Sequence, residues 1–151
     1  MNRKEKALKY YANGYNCAQS VVVSFSDILK IDEQVALKMS SGFGGGMGRM
    51  QETCGAVTGA FMVIGYLRGK YQQEDDEAKE LTNQLIQEFS RKFVEANGNI
   101  NCKALIEFDL NTEEGRKQAD EANIFSTKCS DLIKTSVELL EEILQPELKS
   151  H

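Results

Sequence analysis

Ser41 to Gly59 reads Ser-Gly-Phe-Gly-Gly-Gly-Met-Gly-Arg-Met-Gln-Glu-Thr-Cys-Gly-Ala-Val-Thr-Gly. Seven of the twelve glycines lie in these nineteen residues, so the backbone can take positive φ angles and pass close to neighbouring groups. Helix stops here and then starts again. Cys54-Gly55-Ala56-Val57-Thr58-Gly59 leads into Ala60-Phe61-Met62-Val63-Ile64, with no charge between Glu52 and Arg68. Thr53, the polar residue before this run, is the expected N-cap, which places Cys54 in the first turn of a buried helix. A thiol there faces unpaired backbone N–H groups and the positive end of the helix dipole. Both favour the thiolate, which is the reactive form of cysteine.

Outward from this stretch the chain reads as helix in both directions. Pro146 is the single proline, so nothing interrupts long helices. Residues 3 to 12 form a charged amphipathic helix, with Ala7, Leu8 and Tyr11 as its apolar edge, ended at Gly14. Asn16 is the expected N-cap of a helix whose face carries Cys17, Val21, Phe25 and Ile28. Asp32 caps a third helix, with Val35, Ala36 and Met39 as its buried side and Gly42 as its stop. After the glycine loop, the helix from about Thr53 to Leu67 carries Gly55 and Gly59 one turn apart, a spacing for close backbone packing in a core.

Asp76 to Ala96 is a long amphipathic helix, with Leu81, Leu85, Ile86, Phe89, Phe93 and Val94 among its inner residues. Asn101 precedes a short helix that begins with Cys102, and Asn111 or Thr112 opens a polar helix that includes Arg116. Ser126 or Thr127 opens the last helix, striped by Cys129, Leu132, Ser136, Leu139, Leu140 and Ile143. No segment reads convincingly as a strand. The expected fold is an all-α, single-domain bundle of about six to seven helices with a glycine-rich loop.

A chain of 151 residues with 41% hydrophobic residues supports one core. The net charge of −5 excludes nucleic acid as the main partner, because phosphate binding needs a clustered basic surface. No apolar run reaches 18 residues and the first fourteen are charged, so neither a membrane span nor a signal peptide is expected and the protein is placed in the cytoplasm. Four cysteines in that reducing compartment point to metal, catalytic or redox roles more than to permanent disulfides.

By this reading Cys17, Cys54, Cys102 and Cys129 all begin helices and point inward, which implies a shared site. Their separations of 37, 48 and 27 residues contain no Cys-x-x-Cys pair, and the one histidine is the terminal His151. Zinc knuckles and Cys–His catalysis therefore lack their partners. Thiol chemistry through the cysteines alone remains, with Cys17 and Cys54 as the expected reactive pair and Cys102 and Cys129 as a second, resolving or structural pair. Arg49 is the cation available to a Cys54 thiolate, and Asn16 and Thr53 are caps. The glycine loop fails the dinucleotide and P-loop patterns, since no register gives G-x-G-x-x-G and no Gly-Lys-Ser/Thr follows. Gly44, Gly45 and Gly46 still offer amides to an anion or small ligand.

Gly14-Tyr15-Asn16-Cys17-Ala18-Gln19, Gly42-Phe43-Gly44-Gly45-Gly46-Met47-Gly48, Cys54-Gly55-Ala56-Val57-Thr58-Gly59, and then Cys102 and Cys129, resemble the C_GCAxxG_C_C family of small four-cysteine proteins described as redox-active. The resemblance implies which residues matter and supplies no substrate. Three functions follow as expectations. The first is a thiol-based redox or electron-transfer protein with an unnamed redox partner. The second is a module in which the four thiolates bind a metal ion or iron–sulfur cluster. The third is a helical scaffold with structural cysteines, in which Gly55 and Gly59 serve an oligomer interface; exposed amphipathic faces make a homodimer an expectation as well.

Overall fold

The uncharged run after Cys54 forms α5 (Gly55–Arg68), in which Gly55 to Ala60, Val63 and Ile64 are all buried. A helix apolar on most sides must be surrounded, and the other elements are arranged to do that. α1 (Arg3–Ala12) begins with a capping box between Asn2 and Glu5 and buries Ala7. α2 (Cys17–Ser24) begins with a second capping box, in which the Asn16 side chain accepts from the Gln19 N–H and Gln19 reaches back to the Asn16 N–H. α2 lies directly along α5, and their closeness has a specific cause. A Cβ on Gly59 would stand 2.9 Å from the Ala18 carbonyl oxygen and 3.1 Å from its Cα, so only glycine admits this approach.

The computed structural model describes residues 1–149, whose regular secondary structure is helical, with no strand among them beyond an isolated bridge between Thr53 and Asn101. The expected bundle is therefore present. Among the described residues there are ten α-helices, seven of them longer than two turns. The remaining long ones are α4 (Glu33–Ser40), α6 (Asp76–Asn97), α8 (Glu113–Glu121) and α9 (Ser130–Ile143), and the short ones are α3 (Ser26–Leu29), α7 (Cys102–Ile106) and α10 (Gln145–Lys149). The terminal His151 lies outside the described residues. Among the described residues no helix is long and apolar enough to cross a membrane.

The core sits between α2, α5, α6 and α9. Phe61, Phe89 and Phe93 pack their rings with centroids 6.0 and 5.9 Å apart. The buried Ser136 hydroxyl of α9 donates to the Ala56 carbonyl of α5 at 2.7 Å, satisfying a polar group that burial would otherwise penalise.

Four local expectations are corrected. The second helix breaks at Phe25, whose φ of −106° and ψ of 9° leave the helical region, and the chain re-enters as α3. In α4, Val35 and Met39 are exposed while Ala36 and Ser40 are buried. Small residues bring that helix close to its neighbours, and the Ser40 hydroxyl is satisfied by the Ala36 carbonyl at 2.7 Å. Gly42 does not stop the helix, because the chain tightens into a 3-10 turn over Ser41–Phe43. The last helix does not begin at Ser126 or Thr127; the chain passes through a π turn, Phe125–Cys129, and runs straight into α9.

Candidate functional site

Four separate packing events bring the cysteines to one place. Cys17 is the first residue of α2, held by the Asn16 cap. Gly55 fits against it, since a Cβ there would lie 3.0 Å from the Phe43 carbonyl oxygen and 3.2 Å from the Cys17 Cβ. Cys54 is itself the N-cap of α5. The expected cap, Thr53, is recruited instead into the bridge with Asn101, flanked by hydrogen bonds from the Cys54 N–H to the Ile100 carbonyl at 2.8 Å and from the Cys102 N–H to the Glu52 carbonyl at 2.6 Å. That bridge fixes Cys54 beside Cys102, the first residue of α7, whose N-cap is Asn101. Cys129 ends the π turn with its N–H already bonded to the Ile124 carbonyl at 3.0 Å. It therefore does not sit at a free helix N-terminus, contrary to expectation.

All four cysteines, free thiols in this structure, line a single cavity of about 520 Å³. Cys54, Cys102 and Cys129 are each only 4% exposed, while Cys17 keeps more of its surface open. The glycine loop forms another wall. Gly45, Gly46, Met47, Gly48 and Arg49 have φ between 59° and 69°, five consecutive residues in the left-handed region. A non-glycine residue costs roughly 1–2 kcal/mol there, and Met47 and Arg49 are held against that cost by the loop's own hydrogen bonds, including Gly48 N–H to Gly42 carbonyl at 2.8 Å and Glu52 N–H to Gly46 carbonyl at 3.0 Å. Strain maintained in this way is concentrated at functional sites.

The electrostatics separate the sulfurs. Cys129 is held below the ordinary thiol range, first because Cys17 hydrogen-bonds to it, against the opposing effect of burial, and further because of the Tyr11 hydroxyl and the Lys128 charge. Cys17 is raised, by that same hydrogen bond first and then by burial and the neighbouring sulfurs. Between the two, the proton is held more tightly by Cys17, and Cys129 is the better acceptor. Burial pushes Cys54 up to about 11, against the lowering effect of the Ala56 and Val57 amides. Burial likewise pushes Cys102 up to about 12. The expectation that helix starts would favour ionisation at every cysteine is corrected: desolvation exceeds the amide contribution at Cys54 and is the largest effect at Cys102. Arg49 is not among the groups that shift any of the four.

Three contributors carried no signal in the sequence. Tyr11, read as an apolar edge residue, directs its hydroxyl to the Phe125 carbonyl at 2.9 Å and also reaches Cys129. Its single proton serves one acceptor at a time. Gln51 is buried with a φ of 58°; it donates to the Phe108 carbonyl at 2.7 Å, accepts from the Leu110 N–H at 2.9 Å and opposes the upward shift of Cys102. Arg116, placed by α8, lines the cavity and donates to the Leu110 carbonyl at 2.9 Å. Among the described residues no three Cys, His, Asp or Glu side chains are arranged to hold a metal ion.

A four-cysteine helical site of this kind has relatives. The family model described as "Putative redox-active protein (C_GCAxxG_C_C)" matches residues 15–143, which include every cysteine and the glycine loop. The chain belongs to this family. The family name spells glycine before cysteine in its central motif, whereas this C_GCAxxG_C_C member carries Thr53-Cys54-Gly55-Ala56, with the cysteine first. A protein of Archaeoglobus fulgidus described as uncharacterized is 26% identical over 144 residues, covering 90% of this chain and 89% of its own. No solved structure matches.

Proposed function

We propose that the protein is a dithiol–disulfide redox protein in which Cys129 is the nucleophile and Cys17 the resolving thiol. The observation that carries this reading is that the cysteines meet at one cavity, where the interaction between Cys17 and Cys129 lowers Cys129 and raises Cys17. A thiolate attacks disulfides and a thiol does not, so the acidic member acts first. Cys129 attacks one sulfur of a disulfide, forming a mixed disulfide and releasing one thiolate, which takes the Cys17 proton. Cys17 then attacks the Cys129 sulfur, forming the internal disulfide and releasing the second thiolate. The protein loses two electrons and the disulfide gains them. This departs from the sequence-based pairing of Cys17 with Cys54. Cys54 and Cys102 stay protonated at neutral pH and serve as a second dithiol beside the first.

Alkylation tests the assignment cleanly, because Cys54, Cys102 and Cys129 have equal exposure and differ in ionisation. The rate with iodoacetamide follows the thiolate fraction. Rate against pH, read by mass spectrometry of each cysteine peptide, is expected to rise at Cys129 with a midpoint below the ordinary thiol range. At Cys54 and Cys102 it is expected to rise only towards about 11 and 12. Equal midpoints at the three sites would remove the claim.

A further inference from the structure

The cavity's charge is the reverse of the chain's. The protein has 23 acidic against 18 basic side chains, yet the wall around the four sulfurs includes two guanidiniums, Arg49 and Arg116, and no Asp or Glu. Among the described residues neither arginine has a carboxylate partner, although other cations of the chain, such as Lys6, Arg68 and Lys92, do. Arg116 is half-buried and aimed by its bond to the Leu110 carbonyl, while Arg49 is held at the rim by the left-handed loop. Gly45 and Gly46 line the same cavity, and among the described residues no hydrogen bond is made by either of their N–H groups. Guanidiniums and backbone N–H groups are donors without acceptor capacity, so together they select an anion.

Size and burial restrict that anion further. A volume of about 520 Å³ is that of a small-molecule site. Three cysteines that are each only 4% exposed at the wall of a cavity are out of reach of a cysteine on the surface of a folded partner. The disulfide that enters must therefore be small.

We propose that the substrate is a low-molecular-weight disulfide bearing carboxylates, which Arg49 and Arg116 bind at the cavity's wall so that its S–S bond lies against the cysteine cluster. This rests on the dithiol reading above and adds the class of its substrate. The ligand's S–S bond breaks and the Cys17–Cys129 bond forms, with two carboxylate-bearing thiols released per disulfide consumed. The carboxylates take no part in the chemistry and supply binding and orientation.

Two disulfides of similar length and opposite charge provide the test: 3,3′-dithiodipropionate, a dianion, and cystamine, a dication. The rate of each with reduced full-length protein is divided by its rate with a simple free thiol, which removes intrinsic reactivity. The corrected rate is expected to favour the dianion by roughly tenfold or more at low salt, with the preference falling as salt rises. Arg49→Gln with Arg116→Gln should bring the ratio close to one, and the Lys replacements at both positions should retain much of it. Suberate, in which methylenes replace the two sulfurs, should slow the dianion's reaction with the unmodified protein, a readout that needs no variant to fold. Equal corrected rates without suberate inhibition would overturn the anion assignment and leave the dithiol reading standing. If neither disulfide oxidises the protein, the dithiol reading fails and this inference with it.

Discussion

Cys129→Ser should reduce the rate of reaction with 3,3′-dithiodipropionate on the order of a thousandfold, since removal of a nucleophile leaves only binding and orientation behind. Cys17→Ser should behave differently. Cys129 can still attack in that variant, because serine retains an O–H donor, but no neighbouring thiol can displace the mixed disulfide. Counting released thiol separates the roles: two per protein from the unmodified chain, one from Cys17→Ser, and none on the same timescale from Cys129→Ser. Cys17→Ala adds a further distinction, because it removes the hydrogen bond that is the largest cause of the Cys129 shift. Its alkylation midpoint at Cys129 should move up towards the ordinary thiol range, and the Ser variant should fall between the two. The burial that holds Cys54 and Cys102 at about 11 and 12 explains why neither substitutes efficiently for the missing thiol. Release of two thiols from Cys17→Ser would assign the resolving role to another cysteine.

The second large effect is on stability. Gly59→Ala should destabilise the protein by about 2–3 kcal/mol and lower its melting temperature by roughly 5–10 °C, the usual scale for overpacking a core in a domain of this size. The new methyl would meet the Ala18 carbonyl oxygen at 2.9 Å, and backbone on both sides cannot yield as a flexible side chain can. Gly65→Ala is the matched control. It lies in the same helix with nothing within 4 Å of the added Cβ, so the better helix propensity of alanine should raise stability by about 1 kcal/mol. Opposite signs for one substitution at two positions of α5 would isolate close packing from propensity. Because α2 carries Cys17, moving it away from α5 should also slow internal disulfide formation.

Helices were legible in the sequence because their signals are local. Asn16, Asp32, Asn101 and Thr112 all act as side-chain N-caps, each accepting a backbone N–H within the first turn of its own helix. The exceptions are the positions where a distant residue intervenes. Thr53 had every local reason to cap α5, but Asn101 draws it into a bridge and the cap passes to Cys54. The π turn before α9 has no periodic signature at all.

The candidate site was legible as four cysteines and a glycine loop and illegible as chemistry. Which sulfur ionises depends on Tyr11, Cys17 and Lys128 around Cys129, and Tyr11 reaches that turn across 114 residues of sequence through its bond to the Phe125 carbonyl. Helix-start reasoning assigned the acidic thiol to Cys54 because it counted amides and left out desolvation. Arg116 was hidden for another reason. It sits in a polar helix among Glu113, Glu114 and Lys117, and only the fold shows that this arginine turns to the cavity.

Disulfide mapping of the oxidised protein tests the central claim most directly. The reduced chain would be treated with one equivalent of 3,3′-dithiodipropionate, its remaining thiols blocked at low pH, and its peptides analysed without reduction. Our account predicts a peptide pair joined through Cys17 and Cys129, with Cys54 and Cys102 recovered as blocked thiols. A bond between Cys17 and Cys54, or between Cys54 and Cys102 with Cys129 recovered as a free thiol, would contradict it.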